Sequence, residues 1–121
     1  MSDVLVLDGI RKTYQSVTAV EDLSLTLASG EFVTLLGPSG CGKSTTLRMI
    51  GGFEAPDRGR ILIQGRDVTA LPPHRRDVNV VFQDYALFPH LTVRRNIAFG
   101  LELKGLGKAA IEARVAEMRA L

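Results

Sequence analysis

The chain has 121 residues, 45% hydrophobic and 23% charged, with a formal net charge of +2. That composition is ordinary for a globular domain, and so small a charge, interleaved in sign, leaves no electrostatic footprint for nucleic acid. Cys41 is the single cysteine, which excludes an internal disulfide and fits a reducing setting. No apolar run approaches the ~20 residues that span a bilayer. The opening Met1-Ser2-Asp3-Val4 does not read as a signal peptide, and any membrane role is expected to pass through a partner.

In chain order, Val4 to Ile10 is short, apolar and rich in β-branched residues, and predicts a strand. Gln15 to Val17 reads as a turn, and Leu23 to Leu27 alternates with the period of two of a half-buried strand. Glu31 to Leu36 is a compact apolar run that predicts a third strand, ending in a glycine-rich loop. From Lys43 a helix is predicted, with Leu47 and Ile50 on one face and Gly51-Gly52 as its stop. Arg60 to Gln64 and Val78 to Phe82 predict further strands, separated by the loop at Leu71-Pro72-Pro73. Thr92 is the expected N-cap of a helix running to about Lys104. In the last segment Ile111, Val115 and Met118 recur at helical spacing, so its apolar face expects a partner surface. That segment carries no stop signal before Leu121, and the reading expects a truncated chain.

Gly37-Pro38-Ser39-Gly40-Cys41-Gly42-Lys43-Ser44-Thr45 fits G-x-x-x-x-G-K-S/T, between a predicted strand and a predicted helix. Glycines at 37, 40 and 42 open backbone angles closed to other residues and let amide N–H groups converge on phosphates. The helix that follows adds the positive end of its dipole. Lys43 supplies an ammonium for the terminal phosphates, and the Ser44 hydroxyl can ligate Mg²⁺. The bland alternative is a glycine-rich hairpin with a chance lysine, and the strand-loop-helix setting weighs against it. The motif defines a P-loop nucleotide-binding protein without choosing among kinases, GTPases, helicases and transporters. Cys41, inside the loop, reads as a small residue tolerated there rather than as an activated thiol.

With these motifs in this order, the chain from about Val4 to Leu121 resembles the ATP-binding subunits of ABC transporters. Ile10-Arg11-Lys12-Thr13-Tyr14 is similar to the family's aromatic segment, which implies that Tyr14 stacks on adenine; taken alone, a tyrosine after a strand is more often ordinary packing. The run Leu47 to Gly59 continues the likeness, and Val80-Val81-Phe82-Gln83 resembles the family's Q-loop. The resemblance implies that Gln83 reaches the Mg²⁺ and the attacking water, so that Gln83 and Lys43 are the expected catalytic residues and Ser44 and Gln83 the expected metal contributors.

Asp84 to Val93 is similar to the importer branch serving polyamines, sugars and ferric iron, and nearest to the spermidine/putrescine type. It implies that Tyr85, Ala86, Leu87 and Phe88 receive a helix of a membrane permease subunit; Leu87 and Phe88 could equally fill the chain's own core. His90 reads as a loop histidine, and His74-Arg75-Arg76 and Arg94-Arg95 read as solvated face.

The implied fold is α/β: a P-loop core with a mixed sheet, an antiparallel β portion near the N-terminus, and the start of a helical subdomain. Residues 1–91 would form the nucleotide-binding core, with the phosphate loop and the Q-loop, and 92–121 the opening of the helical subdomain. The implied cofactors are ATP and Mg²⁺. The implied partners are the permease, a second copy of the subunit and, indirectly, a solute-binding protein, with no nucleic acid. The implied place is the cytoplasmic face of the membrane. No Leu-Ser-Gly-Gly-Gln signature and no apolar strand ending in Asp-Glu occurs in these residues. They are therefore expected to bind nucleotide and to hydrolyse it hardly at all, because phosphoryl transfer depends on groups that position water. The competing class is a soluble ATPase of the same family, or a nucleotide-gated interaction module that does not transport. A P-loop kinase would need an acceptor site and phosphate-clamping arginines, and nothing after Gln83 organises itself that way.

Overall fold

The computed structural model describes residues 2–37 and 42–121. These fall into two compact units, one ending at Val80 and the other running Val81–Leu121.

The first unit is built on a long hairpin. Strand β1 (Asp3–Tyr14) pairs antiparallel with β2 (Val17–Ala28) across a two-residue turn, from Tyr14 opposite Val17 to Asp3 opposite Ala28. Both predicted strands lie inside these elements, which pairing extends into polar ends such as Arg11-Lys12-Thr13. Strand β3 (Arg58–Ile63) joins the other edge of β1, and β4 (Arg66–Asp67) closes a second hairpin, giving the order β2-β1-β3-β4. Leu7 sits opposite Ile61 and Leu5 opposite Ile63, so alternate residues of two neighbouring strands stack on one face. The register shifts between Leu7 and Ile10. That irregularity lets two residues three apart both turn inward, which strict alternation forbids.

Helix α1 (Lys43–Gly51) brings Met49 to this face, completing a core of Leu7, Ile10, Val20, Met49, Ile61, Ile63 and Val68. The helix ends where expected. Gly52 takes the left-handed conformation at φ 89°, and the Phe53 amide donates back to the Arg48 carbonyl (2.9 Å). A second device finishes the same end. The Arg76 guanidinium donates to the Met49 (2.7 Å) and Ile50 (3.1 Å) carbonyls, and also to those of Leu71 (2.9 Å) and Thr69 (3.2 Å). Only 7% of Arg76 is exposed, and burial lowers its pKa from the ordinary arginine value. Arg76 is therefore no part of a solvated face, as its neighbours His74 and Arg75 are. Its planar fork matches carbonyls left over at a helix end, where a cation also meets the negative end of the dipole.

The predicted strands at 31–36 and 78–82 do not form. Every strand pairing among the described residues is antiparallel, and none involves these two segments. Apolar periodicity marks a segment that can be buried, but a strand exists only where another backbone completes its ladder. Phe32 and Leu36 accordingly stand in solvent at 92% and 88% exposure.

The second unit is helical. Thr92 caps α2 (Val93–Leu103), its hydroxyl accepting from the Arg95 amide (3.2 Å), and α3 (Lys108–Arg119) follows the Gly105–Gly107 loop. Helix α3 finds its partner surface in α2. Ala98 and Val115 are buried, Met118 remains largely exposed, and Arg94 forms an ion pair with Glu112 across the two helices.

Candidate functional site

At Gly42 the chain turns into α1 with φ 95°. A Cβ there would lie 2.6 Å from the Ala19 carbonyl oxygen and 3.2 Å from Val20 Cγ2, so glycine is required both by the angle and by the close approach to β2. Ala19 lies two residues beyond Val17, which pairs with Tyr14. The start of α1 and Tyr14 are thus gathered at the same end of the β1–β2 hairpin. Lys43 folds back to donate from its ammonium to the Gly37 carbonyl, tying together the two flanks of the loop. Pro38, Ser39, Gly40 and Cys41 lie outside the described residues. Ser44 is exposed, Thr45 half-buried, and Thr46 buried with its hydroxyl donating to the Gly42 carbonyl (2.8 Å). The first turn of α1 has neither a side-chain cap nor an acidic residue. Its amide donors and the adjoining ammonium are therefore suited to an anion supplied from outside.

Tyr14 is 40% exposed. The Lys12 ammonium lies 5.3 Å from the centre of its ring. Two residues apart on one strand, the two side chains leave from the same face. Lys12 also donates to the Ala55 carbonyl (2.8 Å) and approaches Glu54 (3.7 Å) and Asp57 (3.8 Å). Asp57 in turn accepts from the Thr13 amide (2.6 Å) and hydroxyl (2.9 Å), and its own amide donates to the Arg11 carbonyl (2.7 Å). The two donations from Thr13 hold the Asp57 carboxyl below the usual aspartate pKa, with Lys12 and Arg11 adding to the effect.

Gln83 belongs to the second unit, exposed in a turn closed by the Tyr85 amide donating to the Phe82 carbonyl (3.0 Å). Ser44 and Gln83 are thus on separate units. Among the described residues no group of three or more His, Cys, Asp or Glu is placed to hold a metal. A serine hydroxyl such as that of Ser44 suits a hard cation that keeps most of its waters and takes phosphate oxygens as ligands, as Mg²⁺ does.

The expected docking residues form an exposed loop. Tyr85 and Leu87 are 77% and 70% exposed, and Tyr85 (φ 66°) and Ala86 (φ 48°) both occupy the left-handed region. Phe88 is more enclosed, its ring 4.7 Å from that of Phe99 and 6.0 Å from that of His90. Asn96 pins the loop to α2. Its side-chain oxygen accepts from the Phe88 amide (2.9 Å), while its amide nitrogen faces the carbonyls of Phe88 (3.2 Å), Leu91 (3.2 Å) and Thr92 (2.9 Å).

Sequence reasoning missed Lys12, Asp57, Arg76 and Asn96. Only Lys12 left a signal, through its spacing from Tyr14.

Known proteins add a lineage to this geometry. The family model described as ABC transporter matches residues 20–121, and the chain belongs to that family. It is 62% identical over 117 residues to the spermidine/putrescine import ATP-binding protein PotA of Acidothermus cellulolyticus, covering 93% of this chain and 30% of that protein. It is 59% identical over 105 residues to the Fe(3+) ions import ATP-binding protein FbpC of Agrobacterium fabrum, covering 87% of this chain and 30% of that protein. The chain thus spans about 30% of the length of these relatives. Among solved structures, a dimeric ATP-binding cassette in a post-hydrolysis state, bound to ADP and Pi, superposes with a TM-score of 0.83 at 30% identity, covering 93% of this chain and 54% of that one. A dimeric bacterial ABC transporter cassette gives 0.81 at 32% identity. The fold is that of the ABC ATPase cassette, in its antiparallel sheet and the helices that follow. Among the described residues no helix is long and apolar enough to cross a membrane.

Proposed function

We propose that this chain forms the nucleotide-binding portion of an import ATPase subunit and takes Mg-ATP through Gly37, Pro38, Ser39, Gly40, Cys41, Gly42, Lys43, Ser44 and Thr45. The observation that carries this reading is the start of α1: an uncapped helix N-terminus free of acid, with the Lys43 ammonium folded over the Gly37 carbonyl and Tyr14 at the same end of the hairpin. Lys43 would exchange that carbonyl for phosphate oxygens, a stronger, charge-assisted partner. Tyr14 would stack on the base, and Ser44 and Gln83 would orient the cation, which screens the charge of the phosphates.

In the whole protein two copies would close over nucleotide, because ATP binds the closed arrangement more tightly than the open one. The dimeric state of both related cassettes supports that step. Residues 92–121 would open the helical subdomain. Tyr85, Ala86, Leu87 and Phe88 would receive a permease helix at the cytoplasmic face of the membrane, and the names of the relatives favour a polyamine as cargo. Activating water for attack needs a positioned carboxylate beyond the residues assigned here, so these groups bind and orient the triphosphate without completing its hydrolysis. Lys43→Ala should weaken ATP binding about 10- to 100-fold, the loss of a charged hydrogen-bond donor, and abolish ATP-dependent protection from proteolysis. Undiminished protection would reject the assigned cradle.

A further inference from the structure

The contacts around Tyr14 form a construction separate from the phosphate cradle. The ring is flanked by the Lys12 ammonium at 5.3 Å, and Lys12 is itself largely buried, with 14% of its side chain exposed. Three oxygen partners from the segment 54–57 fix that ammonium: the Ala55 carbonyl, Glu54 and Asp57. Asp57 grips the backbone and hydroxyl of Thr13, the residue between Lys12 and Tyr14, and donates its own amide to Arg11. Every residue from Arg11 to Tyr14 is therefore held by the same short segment or stacked on a residue that is. That segment is the one the chain enters on leaving α1 at Gly52. The far end of the phosphate-binding helix is thereby fastened to the aromatic platform, while its near end touches β2 at Ala19.

We infer that Lys12 and Asp57 act as a latch that positions Tyr14 as a base-stacking platform at a set distance from the start of α1, with the Lys12 ammonium confining a nucleoside triphosphate's base to the opposite face of the ring. The inference rests on the proposed nucleotide site and deepens it. Lys12 and Asp57 are positioning residues. Neither touches the phosphates, and each acts through the ring. A stacked ring recognises any base by its flat face, so the latch selects nucleotides over bare polyphosphate without choosing among bases. Ordering the ring in advance removes a cost that binding would otherwise carry, equivalent to about 2- to 10-fold in affinity for one immobilised side chain.

Because a latch failure and a cradle failure read differently, binding of Mg-ATP, Mg-GTP and Mg-tripolyphosphate to the full chain should be measured by calorimetry for wild type, Lys12→Met, Lys12→Arg and Asp57→Asn. Lys12→Met and Asp57→Asn should weaken ATP and GTP by a similar factor of about 2 to 10 and leave tripolyphosphate unchanged, and Lys12→Arg should restore nucleotide binding through the same ring contact. Unaltered nucleotide affinity in both variants, or an equal loss of nucleotide and tripolyphosphate, would overturn the latch. A wild-type chain that binds none of the three would sink the cradle reading and the latch with it.

Discussion

The unit ending at Val80 and the unit Val81–Leu121 are stabilised by different means. The first buries a contiguous apolar cluster, with seven side chains from both long strands, α1, β3 and the segment after β4 meeting on one face of a sheet. In the second, the described residues bury only Ala98 and Val115 among apolar side chains, and residues 81–90 are all exposed. Its order comes from directed polar contacts instead: the Thr92 cap, the Asn96 amide and the Arg94–Glu112 pair. Burial resists change cooperatively, whereas a few surface hydrogen bonds can open locally at small cost. The described residues of the proposed nucleotide site, Gln83 apart, lie on the first kind of scaffold, and the proposed docking loop on the second. That division suits a firmly packed base for the proposed cradle and an adaptable contact.

The contrast can be broken most sharply from the core. Ile61→Ala removes a fully buried side chain and should destabilise the first unit by about 3 kcal/mol, read as a lower midpoint in denaturant. A cost under about 1 kcal/mol would mean that the sheet face can collapse around the gap, and the contrast would fail. Asn96→Ala should be milder, about 1 kcal/mol, and local. Hydrogen exchange at the Phe88 amide should accelerate while amides in β1 keep their protection; uniform acceleration would show that the two units open together.

The smallest expected effect is the acid response of Asp57. Its folded pKa is depressed by Thr13, so its contribution is fully present above the unfolded value of 3.8 and is lost as pH falls through the lower folded value. The stability gap between wild type and Asp57→Asn should be constant from neutral pH down to about pH 5 and close below 3.8. A gap that closes at higher pH would assign the effect to another group.

How much could be read in advance depended on distance along the chain. The Gly37 to Thr45 motif, the glycine stop at Gly51-Gly52 and the Thr92 cap are contiguous in sequence, so their chemistry is visible in one stretch of letters. Arg76 reads as one of two surface arginines until its carbonyl partners, 26 and 27 residues earlier, are in place. Asp57 and Thr13 are 44 residues apart, and nothing in either segment announces the other.

The strands at 31–36 and 78–82 teach the same lesson in reverse. Their apolar letters predict strands, yet a ladder depends on a second backbone that the periodicity of one segment does not specify.

By itself, then, the sequence determined the phosphate-loop motif, the boundaries of α1 and α2 and the lineage, because each rests on short-range patterns or on direct likeness of residues. Only the tertiary structure decided which carbonyls Arg76 closes, and that Asp57 grips Thr13 and approaches the Lys12 ammonium. Those are hydrogen bonds and an ion pair between segments of the first unit that lie far apart in sequence, and a linear pattern does not encode which partners folding brings within reach.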